Sequence, residues 1–243
     1  SFVGLSILVY CKCNFKYNNM KKIVFIFLTV ISFSLFGQTS GRVYNFNVKP
    51  GHDKEVLKLF NEFNMDSPWK EGSGIMLQSV SFKNHVTHRI LVWGNPENMG
   101  RVNPKTNTEW DAYRDRMSLH RSRSIDNAMI TSHGFTEGDI KANPTAKIFD
   151  LRVFNPTKFK AAFDKLVKES KSILGNRRIG LIQYDAGGTP GATHGVVVYG
   201  KNMNDLVILE RKFRASKAFP EYLKNRGKVV YKQNYIVNTL SRF

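Results

Sequence analysis

The chain has 243 residues, with 37 Lys and Arg against 19 Asp and Glu, and a formal net charge of +18. This charge favours anionic partners, but the basic residues are spread along the chain and form no block of five or six like charges. The motifs of zinc proteases, P-loop and dinucleotide-binding proteins and serine hydrolases are missing, which excludes those classes.

The first 40 residues lie outside the predicted fold. Met20-Lys21-Lys22 precede an apolar run from Ile23 to Phe36, which is shorter than the ~20 residues that span a bilayer. With Gly37 after it, the segment is typical of a signal peptide. We predict a signal peptide at 20–37 and export to the periplasm or the medium, with an uncleaved N-terminal anchor as the alternative. Residues 1–19 are interpreted as translated upstream sequence.

Cleavage after Gly37 would remove both cysteines of the chain, Cys11 and Cys13. The mature chain would then contain no disulfide, so its stability would rest on core burial alone. Four lysines and no acidic residue would also be lost, leaving a net charge of +14. The exported protein is therefore still strongly basic.

The first predicted element is a half-buried strand at residues 43–48, where apolar and polar residues alternate. Its apolar face carries Tyr44, Phe46 and Val48, and its polar face carries Asn45 and Asn47. Pro50 then opens a helical pattern, since proline is favoured in the first turn of a helix. The pattern continues with a helix around Val56–Phe63, strands near Ile75–Lys83 and His88–Gly94, a helix near Thr108–Leu119 and a strand near Ala128–Phe135.

The second half of the chain repeats the first at an offset of about 106 residues. Thr87–Gly94 returns as Thr193–Gly200, and Tyr44–Val48 returns as Phe149–Val153. Such an echo predicts two copies of one domain, at 41–137 and 146–243, joined by a linker at 138–145. The second copy has a helix opened by Pro156, strands near Ile179–Asp185 and His194–Gly200, a helix over Asp205–Asn225 and a strand near Val229–Leu240.

The predicted order is β-α-β-β-α-β twice, an α+β class with two ferredoxin-like units. With an aromatic residue ending the third strand and a Trp110-x-x-Tyr113 pair echoed as Phe219-x-x-Tyr222, the chain resembles the dimeric α/β barrel superfamily, which includes the antibiotic-biosynthesis monooxygenase-like and NIPSNAP-like families. The resemblance implies that one chain supplies both units of the barrel as an internal pseudo-dimer. The polar strand faces would then look into the shared barrel, with Asn45, Asn47, Asp150 and Arg152.

Features present in one half only are the best candidates for a site, because residues kept in both copies serve the shared fold. The loop 95–105 is one such feature and is predicted to cover a pocket, or else to be an ordinary surface insertion.

A cationic run on and after the second helix of the first half is another such feature, and it suits the binding of carboxylates or phosphates. Its arginines are Arg114, Arg116, Arg121 and Arg123. The alternative is a solvated face paired with Glu109, Asp111 and Asp115.

Histidines and aromatic residues leave two alternatives open. His88 and His194 occur in both copies and are interpreted as structural, with two equivalent sites as the alternative. The haem-degrading branch of the resembled family carries an Asn, a Trp and a later His, and the resemblance offers Asn47, Trp110 and His120 for these roles. The match of Trp110 to Phe219 favours a core aromatic instead. No cofactor is therefore predicted, and haem is the alternative.

We predict an exported protein that binds a small apolar or anionic molecule in its first half. The resemblance implies a cofactor-free monooxygenase acting on an electron-rich ligand. The candidate pocket residues are Asn45, Asn47, Trp93, Trp110, Tyr113, His120 and His133. Metal sites and nucleic-acid binding are not predicted, since the ligand spacings and aromatic patterns they need are missing. The alternative function is non-catalytic binding of polyanions or an acidic partner through the arginine run and Lys224, Arg226 and Lys228.

Overall fold

The structure is a computed structural model that describes residues 39–122 and 125–243. They belong to one compact unit, Gln38–Phe243. The predicted upstream segment 1–19 and signal peptide 20–37, with both cysteines, lie outside the described residues, as does Arg123. None of the described helices is both long and apolar enough to cross a bilayer.

The described residues form eight strands and six helices. The strands are β1 Ser40–Phe46, β2 Gly74–Ser81, β3 His88–Gly94, β4 Ile125–Phe135, β5 Thr145–Val153, β6 Ile179–Gly187, β7 His194–Gly200 and β8 Val229–Arg242. The helices are α1 Asp53–Met65, α2 Asn107–Ser118, α3 Pro156–Glu169, α4 Lys171–Leu174, α5 Met203–Ala215 and α6 Ala218–Asn225. The α+β class predicted from the sequence is confirmed.

The strands close into an antiparallel barrel in the order β1-β3-β2-β8-β5-β7-β6-β4. The same strand order appears in each half: β4-β1-β3-β2 in the first and β8-β5-β7-β6 in the second. The two sheets meet where β2 pairs with β8 and β4 pairs with β6. Closure leaves no free sheet edge, which removes the usual route to edge-to-edge aggregation.

Local sequence signals explain where the helices begin. Thr106 caps α2 through a capping box, in which its side chain accepts from the Glu109 amide and Glu109 accepts from the Thr106 amide. Asn155 caps α3 by accepting from Lys158, with Pro156 in the first turn. These caps satisfy amides that would otherwise have no partner.

One predicted helix is two helices in the structure. The span Asp205–Asn225 was predicted to be continuous, but α5 ends at Ala215 and α6 begins at Ala218. Ser216 between them is extended, with ψ 151°. Pro220 explains the break, because proline lacks the amide hydrogen that a helix interior needs and is tolerated in a first turn.

The barrel interior is lined by side chains from strands all around it, with Val86 and Ile140 from the connecting segments. The buried members of this cluster include Val43, Val80, Ala128, Ile130, Ala146, Ile148, Ile182, Val197, Tyr199, Tyr235 and Val237. Asn45 and Asp150 share these strand faces and are only 2% and 0% exposed. Asn47 and Arg152, predicted to face the same interior, are exposed. Asn47 lies just past the end of β1, and Arg152 is next to last in β5, so both are beyond the enclosed part.

A polar network crosses this interior. The Asp150 carboxylate accepts hydrogen bonds from the hydroxyls of Tyr184 and Thr189. Tyr184 is hydrogen-bonded to Tyr235, whose hydroxyl oxygen accepts from Arg89 Nη1 at 3.4 Å. Burial raises the pKa of Tyr235 to about 12, so its hydroxyl stays protonated at neutral pH. The network therefore links strands of the first half to strands of the second.

The turn before β7 requires glycine at one position. Gly187 has a φ of +67°, and a Cβ atom there would lie 1.9 Å from the backbone oxygen of Asn127. Glycine adopts this backbone conformation without steric cost. The run Gly187–Gly191 therefore makes the turn between β6 and β7.

The outer face of the barrel packs on the helices in two separate clusters. Phe46, Phe60 and Met117 belong to the first-half cluster, and Phe159 and Leu209 belong to the second-half cluster. Burying a side chain of this size contributes roughly 1.5–3 kcal/mol. The helices thus cover the sheet in both halves, and what differs between the halves is the space left between the layers.

A Thr-His pair fastens the end of the first strand in each half. The Thr87 hydroxyl accepts from the Val48 amide and lies 3.0 Å from Nδ1 of His88. Thr193 accepts from the Val153 amide and lies 2.9 Å from Nδ1 of His194. The two histidines are 3% and 4% exposed. Their repeated contacts give both rings a structural role.

Acid is expected to destabilise the protein through these two histidines. Burial lowers the pKa of both rings, although Asp53 partly opposes the shift at His88. In the unfolded chain each ring would take up a proton below about pH 6.5. The contribution of the two neutral rings to the free energy of unfolding is therefore complete above that pH. It is lost as the pH falls through the lower pKa of the folded state. Between pH 7.5 and 5, the melting temperature of the double variant His88→Gln, His194→Gln should fall less steeply with pH than that of the unmodified protein. An equally steep fall in both proteins would contradict this expectation.

Candidate functional site

A cleft of about 840 Å³ lies in the first half of the molecule. Its floor is the outer face of the sheet, with Tyr44, Phe46, Ile75, Ile90 and Val92. One wall comes from α1 and α2, and the cover comes from the loop between β3 and α2, with Pro96, Met99, Gly100, Arg101, Pro104 and Lys105. The predicted pocket-covering loop 95–105 thus supplies six of the lining residues.

Aromatic rings form the wall of this cleft. Phe63 of α1 stacks on Tyr113 of α2 at 4.1 Å between ring centroids. Its other neighbour is Trp110, at 4.6 Å in an edge-on arrangement. Trp69, from the segment between α1 and β2, also lines the cleft. Aromatic faces at these angles suit a flat aromatic guest, which can stack or approach edge-on.

Arg101 is the buried cation of the cleft, with only 6% of its surface exposed. Its Nη1 donates to the Ser67 carbonyl at 3.1 Å, and its Nη2 donates to Asn64 Oδ1 at 2.6 Å. The guanidinium carbon lies 4.7 Å from the Trp69 ring centroid and 5.3 Å from that of Phe63. Burial lowers the pKa of Arg101, yet a guanidinium stays charged at neutral pH. The cleft therefore has a fixed positive charge among aromatic rings.

A bridge between two strand-like segments holds Arg101 in place. Trp69 and Arg101 pair as an isolated antiparallel bridge, and the Val102 amide donates to the Pro68 carbonyl at 2.9 Å. Asn64, which is 1% exposed, is itself fixed because its Nδ2 donates to the Phe60 carbonyl. The arginine fork is thus positioned by α1 and by the chain that follows it.

The charge of the cleft lining is strongly one-sided. Six cations line it, here called the cleft cations: Arg42, Lys70, Arg101, Lys105, Arg114 and Arg121. Among the residues that the structure describes, Asp185 is the one acidic residue in the lining. Two of the cations have acidic neighbours outside the lining, since Lys105 pairs with Glu109 and Arg114 with Asp111. The lining is therefore cationic enough to attract anionic ligands.

Tyr113 brings a hydroxyl group into the same cleft. Burial raises its pKa to about 12, against a smaller opposite effect of Arg121 and Arg101. The phenol is therefore neutral under physiological conditions, and its oxygen can both donate and accept a hydrogen bond. In this state it serves to orient a ligand rather than to act as an anionic base.

The second half has a smaller and more apolar cavity at the corresponding place. Its volume is about 220 Å³, and its lining includes Phe149, Leu166, Leu209, Phe213, Phe219 and Tyr222. Three cations line it, of which Lys147 and Arg214 pair with Glu210 and Arg226 does not. Phe219 and Tyr222 come from α6, the helix created by the break before Pro220. The two halves therefore differ in the size and charge of the space between sheet and helices.

The seven predicted pocket residues are not brought together by the structure. Trp110 and Tyr113 line the cleft. Asn45 lies inside the barrel and donates to the Asp126 carbonyl at 2.7 Å. Trp93 packs against Gly74 at one end of the barrel, and its ring centroid lies 5.0 Å from the guanidinium carbon of Arg242.

The other three predicted pocket residues also lie elsewhere. Asn47 is exposed, and its backbone amide donates to Ser122 Oγ at 3.2 Å. Nδ1 of His120 is 2.8 Å from Nδ1 of His52. His133 on β4 lies 3.1 Å from Gln183 Oε1. These residues were assigned from the order of residue types along the chain, which does not determine the side of the sheet on which each one lies.

The predicted anion-binding arginines divide into two groups. Arg114 and Arg121 line the cleft, and the Arg121 guanidinium lies 5.2 Å from the Phe46 ring. Arg116 pairs with Glu62 at 3.3 Å on the surface, and Arg123 lies outside the described residues. The predicted surface pairing with Asp111 is present for Arg114.

The residues proposed for haem do not fit that group. Of Asn47, Trp110 and His120, only Trp110 lines the cleft, and His120 has its ring nitrogen against His52. Because the trio does not converge on one space, it offers no common binding place for haem. Within residues 39–122 and 125–243, no three His, Cys, Asp or Glu side chains come close enough to hold a metal ion.

Sequence reasoning missed the residues that give the cleft its character. The sequence analysis includes Arg101 only as a member of the loop 95–105, and it does not name Trp69 or Asn64. The available signal was that Pro68-Trp69 and the loop have no counterpart in the second half. Nothing in the local pattern indicated that these two segments pair with each other.

Comparisons with known proteins show the fold alone. No protein-family model matches the sequence, and no curated protein matches it either. The chain is similar to the solved structure of a "putative monooxygenase" from Fusobacterium nucleatum, with 12% identity, a TM-score of 0.55 and coverage of 86% of this chain and 95% of the other. A second protein of that description, from Lactobacillus acidophilus, has 11% identity, a TM-score of 0.50 and coverage of 84% and 94%. The chain thus has a closed α+β barrel fold, compatible with the dimeric α+β barrels.

Proposed function

We propose that this protein binds a small planar aromatic molecule in the cleft of its first half. The observation that carries the proposal is the combination of a volume of about 840 Å³ with a wall built from Phe63, Trp69, Trp110 and Tyr113. Ligand sites in proteins have volumes of about 300–1,000 Å³ and are lined mainly by apolar and aromatic groups with few polar ones. The cavity of the second half is below this range.

The ancestry of the barrel is part of the proposal. We infer that the chain is a tandem duplication of one ferredoxin-like unit, with 41–137 and 146–243 as the copies. The support is the sequence echo at an offset of about 106 residues, the repeated strand order and the Thr-His pair found in both halves. On this view the first copy kept an open cleft and the second copy filled its own with α6.

A monooxygenase-like reaction is the activity that we propose to test first. Two solved structures with this fold carry the name monooxygenase, and an electron-rich aromatic ligand is a suitable substrate for such a reaction. In this cleft, the side chains would hold and orient the ring and keep water from it. Export through residues 20–37 remains part of the same proposal.

Binding of polyanions through the basic surface has less support. Two of its predicted arginines are neutralised locally, since Arg114 pairs with Asp111 and Arg116 with Glu62. Exposed pairs of this kind are worth little to stability, but they reduce the positive field available to a polymer. The cleft is therefore the preferred site.

Tryptophan resonances test the proposed site directly. The chain has three tryptophans, of which Trp69 and Trp110 line the cleft and Trp93 does not. Titration with 2-naphthol, which is neutral at pH 7, is expected to shift the indole N–H signals of Trp69 and Trp110 in an ¹⁵N-labelled protein and to leave that of Trp93 in place. Trp93→Phe assigns the control signal. Shifts confined to Trp93, or none at saturating 2-naphthol, would contradict the proposal.

A further inference from the structure

We propose that the ligand of this cleft is an aromatic carboxylate whose anionic group is held by Arg101. This inference rests on the proposed function, because it names the chemical class of the molecule in the same cleft. Its evidence is independent of the aromatic wall: it comes from the charge of the lining and from the partners of one buried side chain.

The charge of the cleft lining is unbalanced. Among the described residues, the six cleft cations face one acidic residue, Asp185. The Asp185 carboxylate is itself engaged, accepting from Thr131 Oγ1 at 2.8 Å and from Gln183 Nε2 at 3.2 Å. In the second half, three cations, Lys147, Arg214 and Arg226, line the cavity with one acidic residue, Glu210, which pairs with the first two. The excess of positive charge is thus greater in the large cleft.

Arg101 is buried without an acidic partner in the described part of the chain. At 6% exposure it is buried, and among the described residues no carboxylate lies within ion-pair distance of it. Its two hydrogen-bond acceptors, the Ser67 carbonyl and Asn64 Oδ1, are both neutral. Burying a charge without a counter-charge is costly. An anion arriving in the cleft would remove that cost, so the structure favours an anionic guest over a neutral one.

Arg101 and its neighbour Trp69 each have a hydrogen-bond donor that the described residues leave unused. Nε of Arg101 and Nε1 of Trp69 are buried and have no hydrogen-bond partner among the described residues. Arginine has five N–H groups in a planar fork that matches a carboxylate, and only two of its nitrogens have partners here. The side chain is also held rigidly by Asn64 and by the Trp69 ring. A preorganised fork of this kind loses little freedom when it binds an anion.

A ligand with both features would occupy the cleft in one orientation. Its ring would lie against the wall formed by Phe63, Trp110 and Tyr113, and its carboxylate would point toward Arg101. The neutral phenol of Tyr113 can donate a further hydrogen bond to the same anion. The remaining cleft cations would attract the ligand from solution rather than bind it.

The test compares two probes that share a ring system. In the protein as purified, 2-naphthoate is expected to bind about tenfold or more tightly than neutral 2-naphthol, since hydrogen bonds to charged groups are stronger than neutral ones. In Arg101→Met this preference should disappear while 2-naphthol affinity stays within about threefold. Isothermal titration calorimetry gives both affinities.

Arg178→Met is the matched control. Arg178 is a partly buried arginine whose Nε has no hydrogen-bond partner among the described residues. Its guanidinium carbon lies 4.8 Å from the Phe135 ring centroid, and it does not line the cleft. The carboxylate preference should survive in this variant. Equal affinities for the two probes in the unmodified protein, or a preference that survives Arg101→Met, would overturn the inference and leave the proposed function intact. Failure of both probes to bind would overturn the proposed function as well.

Discussion

Replacing Asp150 with alanine is expected to lower the free energy of unfolding by about 3–5 kcal/mol, as removing one partner from a buried charged network does. Asp150 is fully buried and accepts from Tyr184 and Thr189. It also acts as a counter-charge to Lys83, a buried cation. Burial lowers the pKa of Lys83, and Asp150 acts against that shift. Urea unfolding of Asp150→Ala measures the loss.

The neighbouring residue provides the control for this prediction. Arg152 lies two residues further along β5, is exposed and contacts Phe154, so Arg152→Ala should change stability by no more than about 0.5 kcal/mol. Asp150→Asn keeps one acceptor oxygen, so its free energy of unfolding should lie between those of Asp150→Ala and Arg152→Ala. A loss of less than about 1 kcal/mol in Asp150→Ala would show that the network does not hold the two halves of the barrel together.

Alternation and the repeat allowed much of the barrel to be predicted. The period of two in residues 43–48, together with its echo at 149–153, grouped Asn45 and Asp150 on the polar strand faces, and the resemblance to the dimeric α/β barrels implied that these faces look into the interior. Both residues lie there. The same reasoning was wrong for Asn47 and Arg152, because periodicity gives the face of a strand but not the point at which the barrel stops enclosing it.

The contacts that shape the cleft were beyond the reach of sequence patterns. Trp69 and Arg101 are separated by 31 residues, and their pairing depends on how α1 and the loop after β3 fold back on each other. Periodicity reports local structure and does not determine such distant pairs. His120 illustrates the same limit, since its partner His52 is 68 residues away.

The sequence repeat helped more to predict the position of the site than to predict its residues. Looking for features present in one half only led to the loop 95–105, six of whose residues line the cleft. Looking for residue types known from the resembled family led to Asn47 and His120, which lie outside it. A difference between the two halves is a property of this chain, whereas a family pattern depends on an alignment register that low similarity leaves undetermined.

The central claim is that the ligand enters the first cleft rather than the second cavity. Val92 and Val198 occupy matching positions in the two halves, on the floor of the cleft and in the lining of the smaller cavity. Tryptophan at either position overpacks its site, at a cost of about 1–3 kcal/mol in stability. The two variants therefore form a matched pair, equal in chemistry and different in place.

The measurement is the affinity for 2-naphthol of Val92→Trp and Val198→Trp by isothermal titration calorimetry, with both variants shown to be folded by their thermal unfolding. Val92→Trp is expected to bind at least about tenfold more weakly, a change of 1.4 kcal/mol, because its indole occupies the space of the guest. Val198→Trp should bind like the unmodified protein. Loss of binding in Val198→Trp with full binding in Val92→Trp would contradict the account.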